Sequence, residues 1–245
     1  MKNVILSKRL SAVAELVKGS ACVCDIGTDH GFVPIYLINS GACDHVIAMD
    51  INEGPLERAG QHIAEYGLGD KIETRLSNGM EKLKPGEADT IICAGMGGLL
   101  MKRILEEGSP REKGIKKMIL QPQSDLRAFR EYLRQQCFFI EDEAEIFEDG
   151  KYYTAMLVRV SDDDNNEAYE KVVEEISSAE DAIRICDRFG PTLFLNRDKT
   201  LYEYLTHEKS VLESILLKLS ENEHSERIHD IISKINDISI VLNLY

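Results

Sequence analysis

The chain is 245 residues long, 43% hydrophobic and 29% charged with a formal net charge of -14, an ordinary globular composition with material for one large domain, a core and an appendage. No run approaches the roughly 18 apolar residues of a membrane span, and Lys8 and Arg9 interrupt the amino-terminal "MKNVILSKRLSAVAELV" where a signal peptide needs an apolar stretch. Six cysteines without a C-x-x-C pair argue against zinc and against a disulfide framework, so a metal-free cytoplasmic protein with buried thiols and no membrane partner is expected.

In chain order, short apolar and β-branched runs fall at "ACVCDI" (21–26), "HVIAMDI" (45–51), "KIETRLS" (71–77), "DTIICAG" (89–95) and "KKMILQPQ" (116–123). Helical patterns separate them at 32–40, 53–66, 98–107 and 124–136. Strands alternating with helices predict right-handed crossovers and an open, mostly parallel sheet. The rhythm then changes. "FFIEDEAEIFED" (138–149) and "KYYTAMLVRV" (151–160) follow each other without a helix, which predicts an antiparallel hairpin turning at Asp149-Gly150.

The acidic "SDDDNN" (161–166) reads as a boundary between a domain at 1–160 and a helical one at 161–245. Only "FGPTLF" (189–194) breaks the helical reading of the second part. Leu201, Leu205, Leu212, Ile215 and Leu219 form a heptad seam flawed at Glu208, and Ile228, Ile231, Ile235, Ile238 and Leu242 form another. With a turn at "ENEHS" (221–225), the two seams predict an antiparallel, coiled-coil-like hairpin. Charge is uneven: residues 1–160 hold 20 Lys+Arg against 24 Asp+Glu, and 161–245 hold 9 against 19. Acidity therefore belongs to the tail, and the front domain can still meet RNA. Arg127, Arg130 and Arg134 fall on one helical face, either as solvated surface or as a track for phosphates.

Ligands of an open parallel sheet bind beyond the carboxyl ends of the strands, at the point where strand order reverses. The unusual residues of this sequence lie there. The first strand ends in Asp25-Ile26-Gly27, a sharp turn that lacks the G-x-G-x-x-G of a pyrophosphate cradle. Asp50, followed by Ile51, ends the second strand and is placed to accept from both hydroxyls of a ribose, unless it is only a turn or capping residue. Asn78, Gly79 and Met80 follow the third strand and suit an adenine edge, although Met80 and Met96 are also ordinary packing residues. Ala94, Gly95 and Met96 follow the fourth, where glycines admit a flat or bulky group. A nucleoside cofactor without a pyrophosphate fits this pattern, and S-adenosylmethionine is one.

The motifs "DIGTDHGFVPIYL" (25–37), "AGMGG" (94–98), "ILQPQ" (119–123) and "EDGKYY" (148–153) resemble those of the bacterial tRNA (adenine-N1)-methyltransferases that act at position 22. "LSKRL" (6–10) and "FGPTLFLNRDKTLYEYL" (189–205) extend the resemblance over nearly the whole chain. It implies a class I methyltransferase, Rossmann-like α/β fold: a seven-stranded, mostly parallel sheet with an antiparallel last strand, plus a carboxy-terminal helical domain. It also implies S-adenosylmethionine as cofactor and tRNA as partner. Where many members carry a Ser and an Ala-Tyr pair around the Asp-His, this chain has Thr28, Gly31 and Phe32; Phe32 lacks the hydroxyl but can still stack.

On this reading Asp25, Gly27, His30, Asp50, Ile51, Asn78, Gly79, Met80, Ala94, Gly95 and Met96 line the cofactor. Arg9, His30, Phe32, Tyr36, Gln121 and Tyr152 surround the base. Residues 94–96 offer no acceptor for an adenine amine, so Asp29 is the candidate catalytic acceptor; otherwise it caps the helix beginning near Gly31 and Pro34. His30 either touches the base or stiffens the loop. A monomer is the expected assembly. The rival readings are a small-molecule methyltransferase whose tail dimerises, a non-catalytic RNA-binding protein that retains the cofactor fold and, third, a nicotinamide dehydrogenase.

Overall fold

The computed structural model describes residues 4–161, 166–176, 178–219 and 225–245. Its first strands alternate with helices except between the third and fourth: β1 (Ser20–Ile26), α2 (Phe32–Ser40), β2 (Cys43–Asp50), α3 (Glu53–Glu65), β3 (Ile72–Leu76), β4 (Thr90–Met96), α4 (Gly98–Gly108), β5 (Lys117–Pro122) and α5 (Leu126–Gln135). The hairpin follows as β6 (Phe138–Glu148) and β7 (Lys151–Val160). The seven strands lie in the order β3-β2-β1-β4-β5-β7-β6. β7 runs antiparallel to both its neighbours, and the remaining pairs are parallel.

Strand alternation sends side chains to two apolar layers. Cys24, Ile26, Met49, Cys93, Met118 and Leu120 pack with Met101 and Leu105 of α4 and Phe129 and Leu133 of α5. Val23, Ala48, Ile92 and Ile119 pack on the other face with α2, α3 and α1 (Lys8–Glu15). The sequence reading did not place α1 as a helix. It starts at Ser7, whose hydroxyl accepts from Leu10 N at 3.3 Å, and it packs Val13 and Ala14 beside the hairpin.

The chain divides into two compact units, Met1–Glu167 and Ala168–Tyr245. Residues 162–165 of the expected boundary lie outside the described residues, as do 221–224 of the expected turn. The second unit holds α6 (Glu167–Ile176), α7 (Ala179–Phe189), α8 (Pro191–Leu195), α9 (Lys199–Leu216) and α10 (Ser225–Leu242). The non-helical reading of 189–194 is corrected by α8: Pro191 sits at a helix start, where a missing N–H costs nothing. Leu201, Leu205 and Leu212 of α9 are buried with Ile231 and Ile238 of α10, which pack together as the heptads require. Asp237, 1% exposed, accepts from Arg184 Nε at 2.9 Å and Arg188 Nη1 at 2.6 Å, so this buried acid is paired.

Candidate active site

From β1 the chain winds outward to β2 and β3, then crosses back to β4 on the other side of β1. The crevice this reversal opens lies between the ends of β1 and β4. Gly27 turns there at φ +80°, and the amides of Gly27 and Thr28 donate to Met49 O at 2.8 and 2.9 Å. A Cβ on Gly27 would stand 2.9 Å from Met96 Cε, so the turn after β1 and the end of β4 face each other directly. Glycine supplies that dihedral without strain.

Asp25 is 7% exposed at the end of β1. Burial pushes its carboxyl up to about 6; the Thr28 hydroxyl pulls the other way and the negative charge of Asp50 adds to the rise. On β2, Asp50 Oδ1 accepts from Asn52 N at 2.7 Å, a turn contact that engages one oxygen. Ile51 is exposed beside it. Ser77 N donates to Asp50 O at 2.8 Å, which ties the end of β3 to the same place and presents exposed Asn78 and half-buried Gly79. The Met80 side chain is 1% exposed and packs in the core.

β4 carries a bulge that the strand pattern did not announce. Ala94 pairs with Gln121 and Met96 with Pro122, leaving Gly95 as the extra residue, at φ +81°. The freed Gly95 N donates to Gln121 Oε1 at 3.1 Å, and Arg9 Nη1 donates to the same oxygen at 2.7 Å. The Arg9 guanidinium lies 5.5 Å from the centroid of the Tyr153 ring. Arg9, Gly95 and Gln121 are therefore brought together, and the ring beneath Arg9 is Tyr153, which sequence reasoning missed. Tyr152 instead meets Phe147 across the hairpin in a tilted ring contact, centroids 4.7 Å apart. The signal was available, because adjacent residues of one strand face opposite sides and only one of the two tyrosines can share the face of Arg9.

Asp29 does not cap α2. The cap position is Gly31, and no side chain bonds the helix start. Asp29 instead meets Arg58 of α3, with Nη2 2.9 Å from Oδ1, and His30 Nε2 stands 3.6 Å from the same Oδ1. His30 has φ 61°, a left-handed conformation uncommon for a non-glycine residue. His62 Nδ1 donates to its carbonyl at 2.8 Å, and its ring stacks with Phe32 and His62, both at 5.6 Å. Phe32 is partly exposed on that stack, while Tyr36 packs partly into the core.

The basic stripe on α5 is also corrected. Arg130 is 1% exposed and bonds Glu143 of β6 through Nε at 3.1 Å and Nη2 at 3.0 Å, so it cannot reach a phosphate. Among the cysteines, Cys22 and Cys137 are half-buried rather than buried. No group of three His, Cys, Asp or Glu among the described residues could hold a metal ion, and no described helix is long and apolar enough to cross a membrane.

Two acids at adjoining strand ends, one buried with a raised carboxyl and one with an oxygen to spare, suit a ligand bearing both positive charge and a diol. The glycine turn against Met96 gives that ligand close backbone approach, without a phosphate loop. This donor set fits S-adenosylmethionine.

The family model described as a methyltransferase domain matches residues 6–156. The tRNA (adenine(22)-N(1))-methyltransferase of Bacillus subtilis (strain 168) is 30% identical over 249 residues, which covers 99% of this chain and 99% of that protein. The crystal structure of the B. subtilis M1A22 tRNA methyltransferase superposes with a TM-score of 0.81 at 30% identity, covering 98% of this chain and 99% of that one. The M. capricolum TrmK protein, solved in complex with the cofactor product S-adenosyl-homocysteine, superposes with a TM-score of 0.79 at 28% identity and covers 98% of both chains.

Proposed function

This chain belongs to the family of bacterial tRNA (adenine-N1)-methyltransferases, and we propose that it transfers a methyl group from S-adenosylmethionine to N1 of an adenine, position 22, in tRNA. The observation that carries this reading is that the likeness runs through both units of the chain, not through the cofactor-binding part alone.

S-adenosylmethionine supplies an electrophilic methyl group on a positively charged sulfur. Asp50 accepts from the ribose hydroxyls with the oxygen that Asn52 leaves over, and Asp25 receives the cationic methionine end. Ile51 and the backbone of 78–80 border the adenine of the cofactor. Adenine N1 of the substrate already carries a lone pair at neutral pH, so no base has to deprotonate it. Alignment with the methyl group is what the protein provides, and well-oriented reactions gain as much as ~7–11 kcal/mol from it.

Positive charge builds on the substrate base during transfer. Asp29 is the anion that answers it: both described contacts fall on Oδ1, leaving Oδ2 to accept from the exocyclic amine. Reaching this site takes the adenine out of its stack at a cost of a few kcal/mol, which Arg9, Tyr36 and the rings of His30 and Phe32 offset. Phosphate contacts fall to Arg9, Lys102, Arg103 and Arg127 of the front domain, 1–160, since the tail at 161–245 is the acidic part. A monomer working in the cytoplasm completes this reading.

The test is mass spectrometry of nucleosides from unmodified tRNA incubated with the protein and S-adenosylmethionine. 1-Methyladenosine mapped to position 22 is the expected product. Its absence from a protein that binds the cofactor by calorimetry would refute the tRNA reading and leave the small-molecule one.

A further inference from the structure

Gln121 is fully buried at the end of β5, and its amide is only half used. Its Oε1 accepts from Arg9 Nη1 and from Gly95 N. Both of those neighbours are donors, so the oxygen must face them and the amide cannot be turned round. Nε2 therefore points away from the pair, and it has no hydrogen-bond partner among the described residues. A buried donor left unpaired costs about 1–3 kcal/mol, and a glutamate in its place would keep the acceptor for Arg9 and Gly95 without that donor. The unpaired donor belongs to the side chain that holds the Gly95 bulge and the Arg9 guanidinium stacked near Tyr153.

We propose that Gln121 is a recognition donor for the substrate base, giving an Nε2 hydrogen bond to a ring nitrogen of the target adenine other than N1. This rests on the reading of the chain as an adenine-N1 methyltransferase. The lone pair of N1 forms the new bond to carbon, so a hydrogen bond there would block the nucleophile. N3 and N7 keep their lone pairs throughout and remain acceptors. The residues assigned to the ribose and adenine of the cofactor lie at the ends of β2 and β3, whereas Gln121 lies on β5, next to the cofactor-lining Gly95 of β4. Gln121 and Asp29 then read complementary features of one purine, an acceptor nitrogen and a donor amine.

Gln121→Glu isolates the claim, because a carboxylate still accepts from Arg9 and Gly95 while the Nε2 donor disappears. The expected result is a cofactor dissociation constant within about threefold of the parent and a kcat/KM for unmodified tRNA lowered on the order of 10- to 100-fold. The second arm uses the parent protein with tRNA carrying 7-deazaadenine or 3-deazaadenine at the target position. One of these should lose a similar factor, and Gln121→Glu should lose nothing more on that substrate, which identifies N7 or N3 as the partner. Full turnover by Gln121→Glu overturns the proposal, as does a loss confined to cofactor affinity. Parent turnover undiminished on both deaza-substrates also overturns it, whether or not the variant folds. A parent protein that leaves unmodified tRNA unmethylated would instead overturn the functional reading on which the proposal stands.

Discussion

Asp25 allows a prediction in which stability and cofactor binding move in opposite directions with pH. Burial raises its carboxyl from 3.8 to about 6 in the folded protein. For a carboxyl raised in this way, the protonated form favours the fold: its stabilising share is fully present below pH about 4 and is lost as pH climbs through about 6. The difference of roughly two pH units corresponds to about 3 kcal/mol by pH 7. Asp25→Asn removes the ionisation, so urea unfolding of the free protein should show the variant gaining on the parent between pH 4 and pH 7, by as much as about 3 kcal/mol. Cofactor binding should run the other way. A cationic ligand beside Asp25 favours the ionised form, so calorimetry should find S-adenosylmethionine affinity level above pH 6 and weaker by on the order of tenfold at pH 5. Asp25→Asn should bind weakly and without that pH dependence. Equal parent affinities at pH 5 and 7, or a variant that binds as tightly as the parent at pH 7, would refute the assignment.

Asp50→Ala should weaken S-adenosylmethionine binding by about tenfold or more, the worth of a charge-assisted hydrogen bond of ~1.5–3 kcal/mol, and an unchanged calorimetric constant in a folded variant would remove Asp50 from the cofactor. Asp29→Ala should leave cofactor affinity within a few fold but slow single-turnover methylation of tRNA by ~10²-fold, and near-normal turnover would reduce Asp29 to a surface partner of Arg58. Arg130→Ala breaks the buried ion pair with Glu143 and should destabilise the protein by ~3–5 kcal/mol in urea unfolding. Its salt dependence of tRNA binding, measured in a folded sample, should match the parent, whereas a flatter slope would mean that Arg130 reaches phosphate after all.

The sheet and its terminal hairpin were legible in the sequence because they follow from local periodicity. Buried parallel strands are apolar runs, and the missing helix between 138–149 and 151–160 leaves only a hairpin. The positions of Asp25, Gly27, Asp50 and Gly95 at strand ends were legible for the same reason, since a strand's end and its turn are written side by side. Contacts across the fold were not. Arg127, Arg130 and Arg134 have the same spacing whether their helix face meets water or Glu143, and only the approach of β6 decided that Arg130 is buried. A helix cap was the alternative for Asp29 because capping is a local motif, while the partner it meets, Arg58, comes from the next helix. Tyr152 and Tyr153 are indistinguishable in composition, and strand register chose which one lies under Arg9. The orientation of the Gln121 amide required three separate segments to converge: α1, the bulge on β4 and the end of β5. Periodicity determines which elements form and where they stop, because it depends on near neighbours along the chain. The pairing of buried polar groups depends on which elements meet in space, and that is set only when the whole sheet has closed around its core.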